Sequence, residues 1–134
     1  MNSAVIRWSC AALAALAFAP QAWACGACVE DKVAATYDHA VVQRAAARSQ
    51  VVVFCGIDGK FDAVRLKAAA RRIKGVDAAS LRTSSEPAAL SFALDAARQS
   101  PEAALAELQH ALPAGARLSI VRLMNGSAPT TAAR

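Results

Sequence analysis

The chain has 134 residues, which is enough for one domain and too few for two. Lys and Arg total 15 against 10 Asp and Glu, and the moderate charged fraction with few prolines argues against a disordered chain. The hydrophobic fraction of 56% does not indicate a membrane protein, because 36 of the residues are alanine. The core must therefore come from a modest set of Val, Leu, Ile and Phe side chains.

The first 24 residues have the pattern of a secretory signal peptide. Arg7 precedes an apolar stretch at 8–19, and Ala22-Trp23-Ala24 forms a small-x-small cleavage site. The apolar stretch is too short to span a bilayer, and no later segment is longer. We therefore predict export to the periplasm and a mature chain that begins at Cys25. Lipidation of Cys25 is the less favoured alternative, since Ala22 stands where a lipoprotein signal carries Leu or a similar residue.

The first half of the mature chain predicts a helix, a strand and a second helix. Apolar residues recur at helical spacing over 29–48, and a two-residue connection follows. Residues 51–55 are apolar on both faces, which is typical of a central strand. After a loop at 56–59, residues 62–74 predict a helix that ends at Gly75, a residue suited to a left-handed C-cap.

The second half predicts strands on either side of one helix. Ser100-Pro101-Glu102 supplies a hydroxyl N-cap, a proline in the first helical position and an acidic first turn. The segments of this half are, in order, a short strand at 77–83, a polar turn at 83–87, a half-buried strand at 90–94, a helix from Pro101 that ends at Pro113, a last strand at 117–123, and a flexible tail at 125–134.

The order of these elements predicts the fold class. After the first helix the chain runs strand, helix, strand, strand, helix, strand, which is the order of the ferredoxin-like α+β sandwich. We assign this fold to residues 50–124, with the apolar runs at 51–55 and 90–94 as its central strands. Residues 25–49 form an additional N-terminal segment and helix. We expect this helix to bury its apolar face on the open back of the sheet or at its edge.

Ile73-Lys74-Gly75-Val76 ends the second predicted helix in a Gly-Val pair. Through this pair and the strands around it, residues 51–123 resemble the heavy-metal-associated domain of copper chaperones and metal-transporting ATPases. The resemblance implies the same ferredoxin-like architecture. That family carries Gly-Met-Thr-Cys-x-x-Cys after its first strand, whereas here Gly59 and Asp62 stand at the positions of the two cysteines. The resemblance therefore carries over the fold and not the metal ligands.

Three cysteines remain after removal of the signal peptide, an odd number for an oxidising compartment. Cys25 and Cys28 lie at the start of the first helix, where the helix dipole stabilises a thiolate. A helix over 29–48 spans roughly 30 Å, and a strand over 50–57 spans about 23 Å. If the short turn makes them antiparallel neighbours, the start of the helix returns to the level of Cys55.

We therefore predict a soft-metal site formed by Cys25, Cys28 and Cys55. Three thiolates suit Cu(I), and a fourth ligand would allow Zn(II). Glu30, Asp58 or the new α-amine of Cys25 could supply that ligand. The predicted function is that of a small periplasmic protein that binds or carries such an ion.

Other interpretations of the cysteines stay open. A Cys25–Cys28 or Cys28–Cys55 disulfide would make the chain a structural or protein-interaction domain without a metal. Cys55 on its own would also fit a small buried hydrophobic residue. Thiol–disulfide redox chemistry is a further alternative, but no strand precedes Cys25 as it does in thioredoxin-like proteins.

The remaining residues do not predict an enzyme. The sequence has no phosphate loop, no paired-carboxylate signature and no Ser-His-Asp arrangement of supporting spacing. His39 and His110 are expected to be solvated. With four aromatic residues in the mature chain, nucleic acid is not an expected partner. The expected partners are a metal ion or a periplasmic protein, and a positive strip on the second predicted helix is either solvated or a docking patch for an acidic partner: Arg65, Lys67, Arg71, Arg72 and Lys74.

Overall fold

The computed structural model describes the backbone of residues 24–125 and the side chains from Val29 to Asn125. The predicted signal peptide and nearly all of the predicted tail lie outside these residues. Within this part of the chain no helix is both long and apolar enough to cross a membrane. The elements are α1 (Ala24–Thr36), α2 (His39–Ala47), β1 (Val51–Asp58), α3 (Ala63–Arg71), a 3-10 turn (Ala78–Ser80), β2 (Arg82–Ser85), β3 (Ala88–Leu94), α4 (Pro101–Gln109) and β4 (Arg117–Asn125).

The strands form one antiparallel sheet in the order β2-β3-β1-β4. This is the order of a ferredoxin-like sandwich preceded by N-terminal helices, so the predicted α+β fold class is confirmed. β1 is central, with Val53 opposite Phe92 on β3 and opposite Leu123 on β4. A bulge between Phe54 and Cys55 shifts the pairing with β4 by one residue.

The two faces of the sheet are covered by different helices. Val51, Val53, Cys55 and Ile57 of β1 face α3 and α4 and belong to the larger hydrophobic cluster. The alternate residues Val52 and Phe54 face α1 and α2 and belong to a smaller cluster, which also contains Val33, Val41, Ala45 and Ala93. The N-terminal helices therefore pack on the open back of the sheet, as the amphipathic pattern predicts.

The single helix predicted over 29–48 is wrong, because the chain breaks between α1 and α2. Asp38 adopts an extended conformation, and its carboxylate accepts hydrogen bonds from the backbone N–H groups of Ala40 and Val41. Arg82 on β2 donates two further hydrogen bonds to the same carboxylate. Asp38 is thus an N-cap held in place by the sheet, and α2 begins after it as a separate helix.

The segment between α3 and β3 also differs from its prediction. In place of a strand over 77–83, a 3-10 turn is followed by β2, so the polar turn moves beyond Ser85. Asp77 caps the 3-10 turn by accepting a hydrogen bond from Ala79 N–H. Ser80 Oγ accepts a hydrogen bond from Ala93 N–H at 2.7 Å, which ties the turn to β3.

The sequence predicts that Gly56 begins a loop, but in the structure Gly56 belongs to β1. It pairs with Ala89 on β3 and with Ser119 on β4. A Cβ atom at Gly56 would lie 2.9 Å from Lys32 Cδ and 3.3 Å from Val121 Cγ1. The absence of a side chain at this position therefore lets α1 cross close to the sheet.

Candidate functional site

Cys55 is a core residue in the middle of β1. Its side chain is 1% exposed and lies in the larger cluster with Leu66, Leu90 and Leu118. Burial without a cationic neighbour raises the pKa of the Cys55 thiol to about 12. The thiol is therefore neutral at physiological pH and packs as a small hydrophobic side chain, unlike a reactive or metal-binding thiolate.

Cys25 and Cys28 lie near the start of α1, a helix that packs on the other side of the sheet from the Cys55 side chain. The path of α1 is fixed by three contacts with the strands. Glu30 forms an ion pair with Arg122 of β4. Val33 is buried against the middle of the sheet, and the Thr36 carbonyl accepts a hydrogen bond from Ser91 Oγ of β3.

These contacts mean that α1 crosses the strands from β4 to β3. The predicted antiparallel path beside β1 needed one unbroken helix, and the break at Asp38 removes it. The Cys55 side chain therefore faces α3 and α4 and not α1. Cys25 and Cys28 stand three residues apart in the helical span of α1.

The two carboxylates considered as additional ligands are engaged with cations. The Asp58 carboxylate lies 3.7 Å from Lys32 Nζ. Glu30 accepts hydrogen bonds from the Arg122 guanidinium, and these bonds lower the pKa of the Glu30 carboxyl. Among the residues with described side chains, no group of three or more His, Cys, Asp and Glu is arranged to hold a metal ion.

A groove lies on the other side of the sheet from α1, between α3 and the segment that follows α4. This groove has a volume of about 470 Å³ and is lined by Arg65, Ala68, Ala69, Arg72, His110, Ala111, Leu112 and Pro113. It continues into a smaller hollow of about 280 Å³ beside Lys60 and Phe61.

Sequence reasoning found only part of this groove. Arg65 and Arg72 belong to the positive strip predicted on the helix that is α3 in the structure. Lys60 and His110 lie outside that helix, and no pattern in the sequence links them to the strip. α4 ends at Gln109 and not at Pro113 as predicted, and the turn between them, which contains His110, lies beside α3.

The positions at which the heavy-metal-associated family carries its cysteines have other roles here. Gly59 follows β1 with a φ of +98°, which favours glycine. Asp62 is the N-cap of α3 and accepts hydrogen bonds from the N–H groups of Val64 and Arg65. Comparison of the chain with protein-family models, with curated proteins and with solved structures gives no match in any of the three.

Proposed function

We propose that the protein is a small exported module that binds one soft metal ion, Cu(I), through the thiolates of Cys25 and Cys28. The observation that carries this proposal is the position of both cysteines in the helical span of α1, three residues apart. In a regular helix such residues have Cβ atoms about 5–6 Å apart. Two sulfur atoms on one metal ion, each at about 2.3 Å from it, fit that spacing.

A disulfide between the two cysteines would need them closer than regular helical spacing places them. A disulfide requires Cβ atoms only about 3.5–4.5 Å apart. The first turn of α1 would have to change its backbone to close one. The free N–H groups and dipole of a helix start also stabilise the thiolate, which is the form that binds metal.

The surroundings of α1 favour Cu(I) over Zn(II). Zinc takes four ligands, and its usual additional ligands include carboxylates and imidazoles. Glu30 and Asp58 are each paired with a cation, so recruiting either would break an ion pair. Cu(I) is softer and is selected by thiolates alone. Cys55 is not included, since its neutral thiol lies in the core on the other face.

The test compares two single cysteine variants of the full chain in a Cys10→Ser background, so that retained signal residues add no thiol. We expect the reduced protein to bind about one equivalent of Cu(I) in a competition titration with a chromogenic chelator. Cys28→Ser removes one of two thiolates and is expected to lower the affinity at least about a hundredfold, since each lost soft ligand costs several kcal/mol.

Cys55→Ala is the matched control, because it removes a thiol from the core and leaves α1 unchanged. It is expected to bind Cu(I) as the parent does. Equal binding by the parent and Cys28→Ser, or loss of binding in Cys55→Ala, would contradict the proposal. The mass of the protein recovered from the periplasm also tests export and cleavage before Cys25.

One observation favours a second candidate, an interaction domain with a Cys25–Cys28 disulfide and no metal. With Cys55 sequestered in the core, the other two cysteines of the mature chain form an even set, as an oxidising compartment favours. Thiol counting on protein from the periplasm separates the candidates. A single thiol that reacts only after unfolding supports the disulfide. Two thiols reactive in the folded protein, protected by bound metal, support the carrier.

A further inference from the structure

The groove between α3 and the segment after α4 carries a strong positive charge. Arg65 and Arg72 line it, Lys60 lines its continuation, and the only acidic side chain among these lining residues is Asp62. The Asp62 carboxylate accepts hydrogen bonds from backbone N–H groups of α3 and keeps its negative charge, so the three cations outnumber it and the net charge is positive. The ion pairs found within residues 29–125 involve none of the three Lys and Arg side chains of the groove.

The shape of the groove complements its charge. Besides the charged residues it is lined by apolar side chains from α3 and from the segment after α4, here called the apolar floor: Ala68, Ala69, Ala111, Leu112 and Pro113. Arg65 and Arg72 are seven residues apart, which places them about 10 Å from one another along the helix. A chain in the polyproline II conformation rises about 3.1 Å per residue, so carboxylates three residues apart match that distance.

We propose that this groove docks an acidic, extended segment of a partner protein, with two carboxylates on Arg65 and Arg72 and small side chains on the apolar floor. The guanidinium fork pairs with carboxylates in a bidentate geometry. A single-stranded nucleic acid would need aromatic stacking platforms, and neither Tyr nor Trp lines the groove or its continuation, where Phe61 and His110 are the side chains with aromatic rings.

The groove lies on the α3/α4 face of the sheet, and the cysteines of α1 lie on the other side. The docking proposal therefore does not rest on the proposed metal site. Failure of either one leaves the other standing, because the two tests alter residues on opposite faces.

The test is a titration of the isotope-labelled protein with the peptide acetyl-Ala-Glu-Pro-Pro-Glu-Ala-amide, followed by the amide shifts in NMR spectra. The shifts are expected at residues that line the groove, such as Ala69 and Ala111. The charge-reversal pair Arg65→Glu with Arg72→Glu is expected to weaken binding about tenfold, since each exposed ion pair contributes up to about a fivefold gain and reversal adds repulsion.

The pair Arg71→Glu with Lys74→Glu is the matched control. It changes the net charge equally on exposed residues of the same region that do not line the groove. Because salt screens more distant charges, it is expected to weaken binding about twofold at most. Equal weakening by both pairs would show general attraction to a basic protein and overturn the proposal.

Two further probes distinguish the ligand. A peptide with Gln in place of both Glu residues is expected to cause no shifts, and equal binding of that peptide would overturn recognition of carboxylates. Inorganic phosphate that reproduces the shifts, when the Glu peptide does not, would identify a small-anion site and also overturn the proposal. If the Arg65→Glu, Arg72→Glu protein does not fold, Arg65→Gln with Arg72→Gln tests the same contact with a smaller perturbation.

Discussion

Different interactions hold the helices on the two faces of the sheet. The α3/α4 face buries fourteen residues in one hydrophobic cluster. The α1/α2 face buries six, and polar contacts supplement them: Glu30 with Arg122, Lys32 with Asp58, and Asp38 with Arg82. One face therefore supplies most of the apolar burial, and the other carries a helical cover that depends in part on charge. We expect the cover to open more readily than the core.

The comparison can be tested most strongly with a matched pair of phenylalanines. Phe92 belongs to the α3/α4 cluster and Phe54 to the α1/α2 cluster, and both are at most 1% exposed. Phe92→Ala is expected to lower the free energy of unfolding by about 3–5 kcal/mol, measured by urea denaturation. Phe54→Ala is expected to cost an amount at the low end of that range. The partly exposed Tyr37 ring, which stacks on Phe54, can move into the space that the substitution leaves.

A larger loss for Phe54→Ala than for Phe92→Ala would reverse this comparison. It would mean that the helical cover contributes as much to the cooperative core as α3 and α4 do. The denaturant dependence provides the control, since an unchanged slope shows that both variants unfold from the same compact state.

Two helix caps give the next largest effect. Asp38 caps α2 and Asp62 caps α3, and each accepts two backbone hydrogen bonds. Asp62→Ala is expected to cost about 1 kcal/mol. Asp38→Ala also loses the bonds from Arg82, so its drop in melting temperature is expected to be roughly twice as large. Equal drops would show that the Arg82 contact adds nothing.

The Asp38 carboxylate makes the stability of the α1/α2 face sensitive to acid. Hydrogen bonds from Arg82, and then from backbone N–H groups, hold the pKa of Asp38 below its ordinary value of 3.8 in the folded protein. Its contribution to stability is therefore complete above that value and is lost as the pH falls through the lower folded-state pKa. Melting temperatures measured from pH 6 to pH 2.5 should decline less steeply in Asp38→Asn than in the parent below about pH 4.

The smallest expected effect comes from the close approach of α1 to the sheet at Gly56. Gly56→Ala places a methyl group 2.9 Å from Lys32 Cδ, the far end of a flexible side chain that can move aside. We expect a loss below about 1 kcal/mol. In a double-mutant cycle, Lys32→Ala should recover most of it. Independent effects of the two substitutions would mean that α1 does not cross β1 at this point.

The sequence was sufficient for the parts of the fold that depend on local signals. The apolar run at 51–55 and the N-cap Ser100 have the predicted roles. Gly75 has a left-handed φ of +88°, but α3 ends at Arg71 with Arg72 as its C-cap, so the helix predicted to run to Gly75 is wrong at its C-terminal end. Asp38 was missed although its capping bonds to Ala40 and Val41 are local, because apolar residues keep helical spacing across it; the contact that holds it to the sheet comes from Arg82, 44 positions away. A long-range contact of this kind leaves no periodicity in the sequence.

The candidate site was predicted less well, for a related reason. A strand that is apolar on both faces does not reveal which side chains face which helix. Cys55 could therefore be assigned correctly to β1 and still be given the wrong neighbouring helix. Only the pairing of α3 and α4 with Val51, Val53 and Ile57 shows that Cys55 belongs to their side.

The sheet order has a consequence for how the chain folds. β1 pairs with β4 through residues that lie between 59 and 74 positions apart, from Asp58 with Arg117 to Val51 with Asn125. Until β4 has been made, one edge of the central strand has no partner in the sheet. Such non-local pairing is slow to form, so a chain that emerges from the ribosome cannot complete its sheet before the last strand is released.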